Sequence, residues 1–325
     1  MTTEKILITG ALGCIGSWVV RHLLDDGTDF VATDLSTDPV RPRLLLSDKE
    51  IASVDWLSLD VTDTAAVNAI VTDHGITHIV HLAGLQVPFS RANPPLGAAV
   101  NVLGTVNIFE AARHNGVRGL AYASSLAALG PADLYPETPV PGTAQPKPTT
   151  LYGVYKHANE ETARIYWQDW QVGSVGIRPY IVYGVGRDQG MSADNAKAIL
   201  AAAAGRPFHI RYDGPVALHH ASDAARIFIL SARACHQGSA VCHIQGDMID
   251  TAAFVDMVKR HAPGAQITHD TGKPMPLPAD LDETNLRTIL GKVPHLPLDQ
   301  AIPRDLEMYR ALIKADRIDM SQLDR

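Results

Sequence analysis

Positive charge is in short supply in this chain. Its 325 residues carry 28 Lys and Arg against 35 Asp and Glu, a formal net charge of -7. Nucleic acids and anionic membranes both require clustered cations, so neither is expected as a partner. A local basic pocket for a small anion stays compatible with this balance. Cysteine is scarcer still. Cys14, Cys235 and Cys242 are three in number, with no repeated spacing and no CxxC pair. That argues against a disulfide framework and a cysteine zinc site, and fits reduced thiols in a cytoplasm. No stretch approaches the roughly 18 apolar residues that a membrane-spanning helix needs. The start, Met-Thr-Thr-Glu-Lys, runs straight into a strand-like segment without a charged region and an apolar stretch, so no signal peptide is expected. There is no internal repeat. His219-His220 lacks a third ligand at a recognisable spacing, so no metal is expected.

What is present is a globular composition, with 46% hydrophobic and 19% charged residues, long enough for one large domain or a domain plus a smaller lobe. Short apolar runs alternate with helical patterns. Strands are predicted at Lys5–Thr9, Phe30–Asp34, Trp56–Asp60, His78–Leu82, Leu120–Ser124 and Val175–Pro179. Helices are predicted at Cys14–Leu24, Thr64–Val71, Val100–Arg113 and Leu151–Trp167. This alternation means parallel βαβ units, and continuously apolar strands fit a sheet covered on both faces. The fold class expected is α/β, a Rossmann-type doubly wound parallel sheet with a smaller C-terminal substrate-binding lobe. Residues 1–179 form the dinucleotide-binding domain, rejoined by about 221–246; residues 180–220 and 247–325 form the lobe. The Pro-rich stretch 131–148 is a long loop of the kind that often serves function. Residues 183–190 are loop-like, and 270–298 hold short helices at most.

The strongest local signal is Thr9-Gly10-Ala11-Leu12-Gly13-Cys14-Ile15-Gly16, where the first strand meets the first helix. Gly10 permits the turn, Gly13 a close approach to a pyrophosphate, and Gly16 close packing of helix on sheet. The helix N-terminus then offers free N–H groups to the phosphates. The spacing is GxxGxxG, so the strand-before, helix-after context carries the argument. Asp34 ends the second strand, where an acid accepts from adenosine ribose hydroxyls and repels a 2′-phosphate, favouring NAD over NADP. A turn-initiating Asp would look the same, and Arg41 and Arg43 lie nearby. Asp60-Val61 can cap the adenine, and Ala83-Gly84 can admit the nicotinamide ribose.

Tyr152 and Lys156 form a YxxxK pair on one helix face. A phenol titrates at ~10. An adjacent ammonium and a positive nicotinamide would favour the phenolate, so that Tyr152 can take the proton of a substrate hydroxyl. Such a pair is not rare by chance, but this one follows a strand ending in Ser124-Ser125, whose hydroxyls can bond the reacting oxygen at the ligand-binding edge of the sheet. Gln86 can bond a substrate hydroxyl. Arg187 can pair with a carboxylate, and it shares with Met191 the loop expected to cover the substrate.

These motifs, in this order, resemble the extended short-chain dehydrogenase/reductase family, also called the NAD-dependent epimerase/dehydratase family. The similar segments are TGALGCIG (9–16), Asp34, Asp60-Val61, HLAG (81–84), NVLGTVNIFEAAR (101–113), SS (124–125), YGVYK (152–156), RPYIVYGVGRD (178–188) and LGKVPHLPLDQAI (290–302). The resemblance implies catalytic Ser125, Tyr152 and Lys156. Ser125 is preferred to Ser124 because family members place the hydroxyl five residues before the glycine that is here Gly130. It implies NAD as cofactor, held by Gly10, Gly13, Cys14, Ile15, Gly16, Asp34, Asp60, Val61, Leu82, Ala83, Gly84, Tyr152, Lys156, Pro179 and Val182, with Asn101 in that set as a support of the active-site helix. The candidate substrate contacts are Gln86, Ser124, Ser125, Tyr152, Arg187 and Met191, and the resemblance implies a homodimer through the helices near 100–114 and 150–170.

The chain departs from nucleotide-sugar members at two clamps, with Ile181 in place of an Asn and Val216 in place of an Arg. Leu126-Ala127 replace the acidic pair of dehydratases. The expected activity is therefore NAD-dependent hydride removal from a secondary alcohol of a small polyol, sugar, sugar acid or hydroxy acid. The alternative is a sugar or nucleotide-sugar epimerase with tightly bound NAD. A non-catalytic dinucleotide sensor would commonly have lost the Tyr/Lys pair.

Overall fold

The computed structural model describes residues 3–324, apart from the side chain of Met191. The strands are β1 Lys5–Thr9, β2 Asp29–Asp34, β3 Trp56–Ser58, β4 His78–His81, β5 Gly119–Ala123, β6 Ser174–Arg178, β7 Ile181–Tyr183, β8 Phe208–Ile210, β9 Pro215–His220, β10 Ser239–His243, β11 Asp247–Asp250 and β12 Ile267–His269. The helices are α1 Cys14–Asp25, α2 Asp48–Ala52, α3 Thr64–Asp73, α4 Val87–Ala92, α5 Pro94–Ala98, α6 Gly104–Asn115, α7 Leu151–Trp170, α8 Asp194–Ala204, α9 Ala221–Arg233, α10 Thr251–His261, α11 Thr284–Leu290 and α12 Leu298–Lys314.

Seven strands form one parallel sheet in the order β10-β6-β5-β4-β1-β2-β3. The fold is thus the doubly wound α/β class expected. Alternate residues of each strand enter different cores. Ile6, Ile8, Val80 and Ala121 pack with α1 and α9, while Leu7, Ile79, Leu120 and Tyr122 pack with α3, α6 and α7. Burial on both faces explains why the strands are continuously apolar. The chain reverses its direction of winding between β1 and β4, which opens a crevice at the carboxyl ends of the strands.

Residues beyond β6 build over that crevice. A three-stranded sheet runs β11-β9-β7, and β8 pairs with β12. α9 follows β9 back under the main sheet, and β10 extends it beside β6. Between residues 270 and 298 only the short α11 forms before α12 begins. Several boundaries differ from the sequence pattern. β3 stops at Ser58, because Asp60 accepts from both the backbone N–H and the hydroxyl of Thr62 and so forms a turn. The helix expected from Val100 opens instead with a π-helical stretch, Ala99–Leu103, before α6. Such insertions recur at functional sites.

Candidate active site

One cleft of about 1210 Å³ runs along the carboxyl edge of the sheet. The dinucleotide end is built on the turn from β1 to α1. Gly10 has φ of +74°, and a Cβ there would lie 2.7 Å from the backbone nitrogen of Ala83, so the turn presses against the chain leaving β4. Only glycine fits both demands. Gly13 caps α1 without a side-chain bond. The first-turn N–H groups at Cys14, Ile15 and Gly16, all on the cleft wall, stay available to an anion. Burial pushes the Cys14 thiol up to about 11, so it is inert lining.

Asp34 ends β2 on the cleft wall, with Oδ2 accepting from Leu12 N at 3.0 Å and Oδ1 from Leu35 N at 2.8 Å. It braces the glycine turn while facing the cleft. The neighbouring arginines are already engaged. Arg41 forms a fork on Asp188, with Nη2 2.9 Å from Oδ1, and also donates to Leu12 O at 3.3 Å. Arg43 pairs with Asp38. Neither is left free for a 2′-phosphate. Asp60, Val61, Leu82, Ala83, Gly84, Pro179 and Val182 all line the same cleft. The residues present therefore suit a dinucleotide: a glycine cradle, a helix N-terminus and a carboxylate at the end of β2.

The reactive end lies over β5. Tyr152, Lys156 and Ser125 all line it. α7 places Tyr152 and Lys156 on one face, and Lys156 Nζ sits 5.5 Å from the centre of the Tyr152 ring. The N-cap Thr150, whose hydroxyl accepts from Gly153 N at 3.1 Å, sets where that helix starts. Ser125 caps the 3-10 turn Leu126–Ala128, accepting from Ala127 N at 3.1 Å. Burial raises the Tyr152 phenol above its ordinary value, while the Ser125 hydroxyl and the Arg187 charge pull the other way. The sequence pattern assigned that pull to Lys156; here it comes from Ser125 and Arg187. Burial also pushes Lys156 down to about 8, opposed by Glu160, and Nζ donates to Ala123 O at 2.8 Å.

Two expected site residues turn their polar groups to the protein rather than to the cleft. Ser124 is buried, and its hydroxyl donates to Glu160 Oε1 at 2.5 Å, so only its edge reaches the cleft. The hydroxyl is therefore committed to the protein rather than to a substrate. Asn101 is fully buried behind the wall. Its amide donates to Leu85 O at 3.1 Å and Gly97 O at 2.9 Å and accepts from Leu85 N at 3.2 Å, tying down the loop after β4. The side chain of Met191 lies outside the described residues. Gln86 and Arg187 do line the cleft.

Sequence reasoning missed a polar network on the buried side of α7. Arg178 grips Glu160 through bonds of 2.6 and 2.7 Å and reaches His243 at 3.1 Å. Burial would raise the Glu160 carboxyl, but Arg178 outweighs it and holds it below its ordinary value. Glu160 follows Lys156 by one helical turn, which is the one signal the spacing offered. Thr149, Thr150 and Met275 to Leu277 also line the cleft. They come from stretches whose sequence shows only that they are loops. Among the described residues no group of three or more His, Cys, Asp or Glu could hold a metal.

This arrangement matches known proteins over most of its length. Residues 6–264 match the model of the NAD dependent epimerase/dehydratase family. An uncharacterized epimerase/dehydratase of Staphylococcus aureus is 33% identical over 198 residues, which is 60% of this chain and 59% of the relative's own length. The UDP-glucose 4-epimerase of Mycolicibacterium smegmatis is 29% identical over 94% of this chain and 98% of its own. Among solved structures, UDP-glucose 4-epimerase of Thermotoga maritima with UDP-glucose has a TM-score of 0.80 at 22% identity, covering 95% of this chain and 100% of that one. L-threonine dehydrogenase of Clostridium difficile has a TM-score of 0.81 at 22% identity, covering 96% and 99%. The chain belongs to the NAD-dependent epimerase/dehydratase family, whose cofactor is NAD.

Proposed function

We propose that this protein is an NAD-dependent dehydrogenase acting on a secondary alcohol of a small sugar, sugar acid or hydroxy acid. The observation that carries the reading is the convergence of Ser125, Tyr152 and Lys156 in one cleft with the glycine turn. Bound NAD would supply the hydride-accepting chemistry. Tyr152 takes the hydroxyl proton, so that the carbon is left as a carbonyl. Ser125 holds the reacting oxygen by a hydrogen bond. Lys156, anchored on Ala123 O, would hold the ribose of the cofactor, while the charge of Arg187 acts on the phenol. The glycine turn, Asp34, Asp60, Val61, Leu82, Ala83, Gly84, Pro179 and Val182 hold the dinucleotide, with Asn101 bracing the loop that follows β4. Gln86 and Arg187 face the substrate.

Residues 1–179, rejoined by about 221–246, act as the dinucleotide-binding unit. Residues 180–220 and 247–325 act as the substrate unit. Ile181 and Val216 are fully buried in apolar core, which leaves no polar clamp there for a nucleotide diphosphate and favours a small substrate. The working form is a homodimer in a reducing cytoplasm, consistent with three free thiols.

Tyr152→Phe is the direct test. It should lower turnover by roughly a hundredfold or more while NAD affinity holds, measured by NADH absorbance and calorimetry; full turnover in this variant would sink the mechanism. A second reading, an epimerase that never releases NAD, is favoured by the Arg41–Asp188 pair spanning the cleft and by the M. smegmatis relative. Near-stoichiometric NAD in the purified protein would select it; an empty protein that binds added NAD would select the dehydrogenase.

A further inference from the structure

We infer that the substrate carries a carboxylate, and that Arg187 receives it; the inference rests on the hydride-transfer reading of this same cleft. Arg187 follows β7 in the loop over the reactive end and is half-buried on the cleft wall. Its Nη2 donates to Ser192 Oγ at 2.8 Å. Its Nε is shielded from solvent and has no acceptor among the described residues. Other arginines drawn from solvent are paired with acids: the buried Arg178 with Glu160, and the partly buried Arg41 with Asp188 and Arg233 with Glu4. No carboxylate lies within ion-pair distance of Arg187 among the described residues. A guanidinium drawn out of water with one neutral partner is costly, and the missing anion is the natural remedy.

The charges of the cleft point the same way. The acids on its wall are Asp34, Asp38, Asp60 and Asp188. The first three lie at or beyond the ends of β2 and β3, in the dinucleotide half, and Asp188 is held by Arg41. The reactive half carries none. There Arg187 stands near enough to act on the Tyr152 phenol. Gln86 and Arg187 flank Gly190, where an added Cβ would lie 3.3 Å from Gln86 Oε1 and 3.8 Å from Arg187 Nη2. A carboxylate arriving beside Ser192 can take over its bond and accept two N–H bonds from the planar guanidinium. Gln86 is then placed for a neighbouring hydroxyl. The substrate class is a hydroxy acid of sugar type, an aldonate or uronate.

The test uses the full chain saturated with NAD. Calorimetry compares aldonates and uronates of four to six carbons with the uncharged polyols and aldoses of the same length, and with UDP-glucose. At least one acid should bind about tenfold or more tightly than its neutral counterpart, the worth of one charged hydrogen bond. Arg187→Gln should lose that preference and Arg187→Lys should keep part of it, with NAD affinity in both variants showing that the fold survives. Equal binding of acids and polyols, binding of UDP-glucose alone, no acid bound at millimolar concentration, or an unchanged preference in Arg187→Gln would each overturn the inference. NADH absorbance in the same samples separates the two readings. Acids that bind and are never oxidised reject the dehydrogenase and leave the carboxylate site standing. Oxidation of neutral alcohols alone does the reverse.

Discussion

Tyr152 and Lys156 show what burial does to the proposed catalytic pair. The spacing YxxxK was legible in the sequence, and it placed both groups on one face of α7. Their charge states were not. Burial raises the phenol and pushes the ammonium down to about 8. A phenolate at neutral pH therefore needs further positive charge, which a bound nicotinamide would bring. Ultraviolet titration should find Tyr152 ionising above its ordinary range in the free protein and lower with NAD present, the Tyr152→Phe variant identifying the signal. A transition unmoved by NAD would reject this account. Lys156 has a stability signature as well. Its folded value lies below its unfolded one, so the burial penalty acts in full below pH ~8 and is relieved as pH rises from there towards the unfolded value. Without NAD, Lys156→Met should raise the melting temperature near pH 7, by about 2 °C or more. The gain should shrink near pH 10. A lower melting temperature near pH 7 would mean that the bond to Ala123 O outweighs burial.

Among the elements, α7 does most to assemble the chemistry. It starts where Thr150 caps it and packs on the turn that begins at Ser125. Gly153 makes that packing possible: a Cβ there would lie 2.1 Å from Ala127 O. Gly153→Ala must push the helix away from the turn, separating Tyr152 from Ser125 while the glycine turn on β1 is untouched. Turnover should fall at least about tenfold, with NAD affinity within about twofold, since ångström misplacements of reacting groups are costly. Loss of NAD binding in parallel would show that the damage spreads beyond the reactive end. The sequence showed a glycine beside Tyr152 and gave no reason for it, because its contact, Ala127, comes from another element. Ser124 shows the opposite case. Its position beside Ser125 suggested a ligand-facing hydroxyl, but Glu160, 36 residues on, takes that hydroxyl.

At the scale of the whole molecule, the faces of α5, the π-helical stretch and α7 remain partly uncovered. Leu103 and Val154 are 45% and 46% exposed, and Leu151 and Leu96 nearby are similarly open. A second copy of the chain would cover them, and Val154→Glu should shift the protein from dimer to monomer in light scattering. A wild-type monomer would reject the proposed assembly. Across the cleft, Arg41 and Asp188 join two segments 147 residues apart over the glycine turn. Asp188→Asn weakens that fork, so bound NAD should leave faster in stopped-flow displacement. An unchanged release rate would show that the pair does not restrain the cofactor.

Local chemistry was enough to determine the alternating strands and helices, the glycine turn with its helix N-terminus, the acid ending β2 and the tyrosine–lysine spacing. Each depends on residues near in sequence, so periodicity and turn chemistry reveal it. The tertiary structure decided the rest: that Ser124 belongs to Glu160, that Asn101 stands behind the wall, that Arg41 has a carboxylate partner and Arg187 has none among the described residues. Those outcomes depend on which distant carboxylate or carbonyl the folded chain brings within hydrogen-bond reach. A buried polar group must find a partner somewhere, and only the folded chain shows which partner it has found.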